Sequence, residues 1–113
     1  MTKYPISFPS GAMEIPAEGI QVVADVSHAV VQEAKGAGVW VFGGGIDESL
    51  PPVMVAGDGS VTPGTYPERR WIEGGYSVLE LGSYADALAW AAKTAIACRC
   101  AQEVRAFEDD PES

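Results

Sequence analysis

Basic side chains are scarce in this chain. Seven Lys and Arg stand against sixteen Asp and Glu among 113 residues, a formal net charge of −9. That balance argues against nucleic acid as a partner, because neutralising phosphates needs clustered cations. It argues equally against binding to anionic membrane surfaces. No run approaches the ~18 consecutive apolar residues of a membrane span. The N-terminal stretch MTKYPISFPSG lacks the apolar centre of a signal peptide, so a cytoplasmic location is expected. Cysteine is limited to Cys98 and Cys100, and one intervening residue is too few for an ordinary structural disulfide. With His28 as the one histidine, no metal site is expected. The run FGGGI lacks the G-x-G-x-x-G spacing and no helix follows it directly, so it does not read as a nucleotide loop. No cofactor is expected.

What is present suffices for one domain. Hydrophobic residues make up 47% of the chain, enough for one core at this length. Residues Lys3–Phe8 read as a strand, and Pro5 within it and Pro9 after it suggest an edge or an interrupted strand. Ile20–Lys35 reads as a helix, with Val23, Val26, Val30, Ala34 and Ala37 forming an apolar stripe and Gly36 or Gly38 as its left-handed cap. Val39–Gly45 is an apolar strand ending in three glycines. Val53–Ala56 and the stretch Ser60–Thr62 read as a hairpin around a GDG turn. Gly75–Leu81 is a strand with apolar residues on both faces, as expected of a strand covered on both sides. Ser83 and Asp86 form a variant capping box before an alanine-rich helix, Tyr84–Cys98. Ala101–Phe107 is the last strand, and residues 108–113 form an acidic tail.

The order β-α-β, hairpin, β-α-β predicts a single α+β domain, 1–113, of the ferredoxin-like split βαβ type with an inserted hairpin. Two helices on one face of an antiparallel sheet leave the other face bare. An uncovered apolar sheet face of that size marks an interface, so a homodimer is expected, its sheets packed face to face as an α+β barrel.

Three stretches resemble the YCII-related (DGPF-domain) family of small bacterial proteins: EAKGAGVWVFGGG, DGSVTPGTYPE with GGYSVLEL, and ADALAWAAKTA with EVRAF. The resemblance runs from Lys3 to about Phe107, and Gly64, Tyr66, Glu68, Gly74 and Gly75 fall on pattern positions. The family's Asp-Gly-Pro-Phe reads Pro63-Gly64-Thr65-Tyr66 in this chain, so its acidic residue is absent and no role is carried over from it. The resemblance implies the dimeric ferredoxin-like fold. It also implies a link to extracytoplasmic-function sigma factors, which some members accompany. For a site it implies a helix histidine and an aspartate in the following loop, here His28 and Asp47.

A histidine ring exchanges its proton near neutrality, which suits acid–base work when a carboxylate orients it. At about 100° per residue from Val26, the apolar stripe centres near ~40° and His28 lies near ~200°, which reads as a solvated outer face. The functional reading places His28 at a helix edge bordering a cleft. Glu33 falls inside the stripe and therefore calls for a partner. On the loop after the hairpin, Tyr66, Glu68, Arg69 and Trp71 offer aromatic, acidic and basic groups for a small ligand, or simply anchor that loop. Two function classes follow. One is a small-molecule enzyme using His28 as acid–base; the other is a non-catalytic ligand-binding or regulatory protein.

Overall fold

A computed structural model describes all 113 residues. Strand β1 (Thr2–Pro9) leads through a loop and one 3-10 turn (Ala17–Gly19) into helix α1 (Ile20–Gly36). Strands β2 (Trp40–Gly45), β3 (Val53–Val55) and β4 (Val61–Pro63) follow. The chain ends with β5 (Glu73–Leu81), helix α2 (Tyr84–Cys98) and the short β6 (Glu103–Val104). Four strands form one sheet in the order β2-β5-β1-β6, each neighbouring pair antiparallel. Each helix therefore joins two strands that have a third between them. Strands β3 and β4 pair only with each other. The architecture is α+β, with no helix long and apolar enough to cross a membrane.

Both helices lie on one face of the sheet. Ile6 and Tyr4 of β1, and Leu79 and Leu81 of β5, meet Ala34 of α1 and Ala87 and Ala91 of α2 in one cluster. Alanines on α2 let that helix approach the strands closely, and Trp40 and Trp90 fill the margin of the same cluster. The N-terminus of α2 is capped as its sequence suggests, the Asp86 amide donating to Ser83 Oγ at 3.1 Å. Helix α1 runs out into Gly38, whose φ of +75° is the left-handed conformation that glycine adopts at least cost.

Two expectations are corrected. Strand β1 is not an edge: it lies between β5 and β6. Pro5 is tolerated because its missing N–H falls on the side of β6, the short outer strand. The pairing there is one-sided, the Arg105 amide donating to the Pro5 carbonyl at 3.2 Å. The strand expected over Ala101–Phe107 is accordingly reduced to Glu103–Val104, with the Phe107 amide adding one bond to the Lys3 carbonyl at 2.9 Å.

The packed face of α1 is also rotated. Val23 and Ala34 are its buried residues, with Ala24, Ser27, Val30 and Val31 half-buried, whereas Val26 and Ala37 are exposed. On the angular scale used above, these residues centre near ~100°, on Ser27. His28 and Lys35 thus flank the packed face rather than oppose it. Glu33 is half-exposed and pairs with Lys93 of α2, whose ammonium also lies 4.8 Å above the Trp90 ring. This exposed bridge ties the two helices but contributes little to stability.

The opposite sheet face has no helix on it. Register places Phe42, Val78 and Pro5 side by side there, with Gly44, Tyr76, Ser7 and Glu103 in the next row. Val78 is buried but Phe42 is 62% exposed. Ser7 is wholly buried and its Oγ has no hydrogen-bond partner. The molecule is a slab of 44 × 43 × 20 Å with a radius of gyration of 15.7 Å, against ~13 Å for a compact domain of this length. Only 14 of 113 residues are buried, a small core for so apolar a chain.

Candidate functional site

A cleft of about 590 Å³ opens between α1 and the helix-facing side of β2. Helix α1 contributes His28 and Lys35 to its rim, seven residues and two turns apart, so the two side chains share one edge of the helix. The facing wall is Trp40 and the glycine run Gly43–Gly45 of β2. Thr94 and Cys98 of α2, with Gln102 beyond it, close the far end. A smaller recess of about 70 Å³ adjoins this cleft, sharing Ser27, Trp40 and Cys98 and running inward among Val30, Leu79 and Trp90.

Phe8 lines the same cleft and explains the double glycine at the head of β5. A Cβ on Gly74 or on Gly75 would lie 2.9 Å from the Phe8 ring. The pair is bare so that this ring can lie on the strand.

Electrostatically, the cleft is unlike the rest of the chain. Its ionisable side chains are His28, Lys35 and Cys98, Tyr76 lining it from a strand position whose side chain belongs to the other sheet face, and no carboxylate lines it. The four ion pairs of the molecule involve Lys3, Arg69, Lys93 and Arg105, which leaves Lys35 and His28 without a carboxylate within 4 Å. Strand β2 is an outer strand of the sheet, so part of its backbone has no strand partner. Cys98 is buried, its Sγ 3.7 Å from Ser27 Oγ.

Cys98 and Cys100 do not form an extended pair. Arg99 between them adopts a left-handed φ of 59° and turns the chain out of α2. Burial raises the Cys100 thiol above its ordinary value, and the neighbouring Cys98 adds to the shift.

No protein-family model matches the chain, and no curated protein is similar to it in sequence.

The other candidates lie elsewhere. Asp47, in the turn after β2, lines a neighbouring recess that shares Phe8, Met13 and Gly45 with the main cleft. Its Oδ1 accepts from the Ser49 hydroxyl at 2.6 Å and the Ser49 amide at 3.0 Å, and these bonds hold its carboxyl below the usual value. Tyr66, Glu68 and Trp71 are exposed on the loop between β4 and β5, Tyr66 by 71% and Trp71 by 69%. Arg69 of that loop instead lines a second cleft, of about 640 Å³, with Glu73 and Tyr76.

In this second cleft the charges satisfy one another. Glu73 receives Arg69 at 3.5 Å and Arg105 at 3.7 Å. Burial raises the Tyr76 phenol above its ordinary value, and the negative charge of Glu73 adds to it. The structure therefore brings Arg69 together with Glu73 and Tyr76, and His28 together with Lys35 and the β2 glycines. It does not unite the loop residues with His28. Lys35 is the rim residue that sequence reasoning passed over; its signal was the seven-residue spacing from His28.

Proposed function

We propose that the chain is a small-molecule enzyme working from the cleft between α1 and β2, with His28 as its acid–base group. The observation that carries this reading is the placement of the one histidine on the rim of that cleft, flanking the packed face of its helix. His28 is exposed, so its imidazole is reachable by a ligand lying in the cleft. Asp47 would have to give up its bonds to Ser49 to orient the ring.

The test is a panel of small carbonyl and carboxylate compounds incubated with the protein in D2O and followed by NMR. Deuterium exchange or conversion is expected for at least one compound, and His28→Gln should slow it by about 10²–10⁴-fold. Equal rates in the two proteins would overturn the acid–base role. The second reading, a non-catalytic ligand-binding or regulatory protein, is favoured by one observation: no carboxylate lies within 4 Å of His28. Binding in the cleft without turnover would decide for it.

The fold part of the proposal is a ferredoxin-like split βαβ with an inserted hairpin. It is supported by the order β2-β5-β1-β6, in which each helix-linked pair of strands encloses one strand of the other pair. Membership of the YCII-related family belongs to the same proposal, with the cytoplasmic location and sigma-factor link it entails. It rests on the motif residues, of which Gly64, at φ +94°, and Gly74 and Gly75, beneath Phe8, have structural reasons to be glycine.

We further propose a homodimer packed through the helix-free sheet face. The thin slab, the small core and exposed Phe42 beside Val78 support it. Sedimentation at micromolar concentration should give twice the chain's 11.9 kDa; a single-chain mass would refute the dimer.

A further inference from the structure

We infer that the ligand of the α1–β2 cleft is a short-chain monocarboxylate whose head lies between Lys35 and the β2 glycine run and whose aliphatic tail enters the adjoining recess. The inference rests on the cleft being the ligand site and adds the class of ligand. Three observations carry it. The first is charge. Sixteen carboxylates are spread over a chain of net charge −9, yet none lines this cleft, whose ionisable groups include the cations Lys35 and, when protonated, His28. In the second cleft, by contrast, Arg69 is engaged by Glu73. Of these two clefts, the one beside α1 is therefore the one that offers an anion cations without a carboxylate partner, and charge-assisted hydrogen bonds are the strong ones.

The second observation is the wall opposite those cations. Gly43–Gly45 expose the backbone of an outer strand to the cleft without side chains in the way. Backbone N–H groups of such a strand are ready donors to a carboxylate. The third is size. The inner recess is about 70 Å³ and is walled by Val30, Val31, Ala34, Leu79, Trp90 and Ala97. A cavity of about 150 Å³ holds a benzene ring, so this one accommodates a branched aliphatic tail of about three or four carbons and no aromatic ring.

The experiment uses the full chain at constant ionic strength. Sodium isovalerate, isovaleramide and isoamylammonium chloride are titrated while the His28 ring signals and the Gly43–Gly45 amides are followed by NMR. Isovalerate is expected to move both sets saturably, the amide weakly and the ammonium not at all. Lys35→Gln, a substitution at an exposed position, should weaken isovalerate by about tenfold or more. Across acetate, butyrate, isovalerate and octanoate, affinity should peak at isovalerate. Unchanged affinity in Lys35→Gln, or no peak with chain length, overturns the inference. If the amide or the ammonium moves the His28 signals and isovalerate does not, the carboxylate class falls and the cleft reading stands. If none of the compounds moves them, the carboxylate inference falls, while the cleft reading stands or falls on whether other small molecules shift the same signals.

Discussion

Alanine at Gly43 is expected to destabilise the protein by about 2–3 kcal/mol, while alanine at the adjacent Gly44 should cost under about 0.5 kcal/mol. The two glycines point to opposite faces of β2. A Cβ on Gly43 would lie 2.5 Å from the Tyr76 carbonyl oxygen, 3.0 Å from Ser77 Cα and 2.8 Å from the edge of the Trp40 ring. Two of those atoms belong to the backbone of β5 and can move only by breaking the β2–β5 pairing. A Cβ on Gly44 meets nothing within 4 Å. Urea unfolding of the two variants measures the difference. In heat, Gly43→Ala should lose roughly 10 °C in Tm. A Gly44→Ala loss as large as that of Gly43→Ala would mean that β2 packs on β5 in another register, and the cleft wall would go with it.

Truncating Ile6 to alanine should cost about 3–4 kcal/mol, the range for a buried aliphatic side chain whose neighbours cannot close the gap. Ile6 is 1% exposed and pairs with both Ser77 of β5 and Val104 of β6. Its side chain belongs to the cluster that joins both helices to the sheet. An edge strand, which Pro5 suggests on its own, would leave such a residue half-solvated, and the cost would then be about 1 kcal/mol or less. Equilibrium denaturation distinguishes the two, because the expected loss is a large fraction of the 5–15 kcal/mol that holds a domain of this size together.

Periodicity carries most of the fold. The helices, the glycine-terminated strand and the hairpin occupy the stretches where apolar spacing and turn residues put them, and Ser83 caps α2 as its spacing with Asp86 requires. Proline misled at β1, since a one-residue reading cannot say on which side of the strand the missing donor falls. The short partner β6 is what makes Pro5 harmless. The phase of α1 was out by roughly 60°, because its apolar residues are too many to define one stripe. Val26 is apolar but exposed, and Ser27 packs against Cys98. His28 is exposed, as the solvated reading expects, and the rotation brings it beside the packed face, at the rim of the cleft, rather than opposite it. The unpaired state of Lys35 and the absence of carboxylates from its cleft depend on contacts between distant elements, which no local spacing encodes.

The most direct measurement of the central claim is an NMR screen of small fragments against the full chain, read at the His28 ring, the Trp40 indole and the Gly43–Gly45 amides. The histidine ring needs no assignment, being the only one in the chain. If the α1–β2 cleft is the site, the compounds that bind will shift the His28 ring, the Trp40 indole and those glycine amides together. Binding that shifts Arg69, Glu73 and Tyr76 instead, with the His28 ring still, would place the site in the second cleft and contradict the claim.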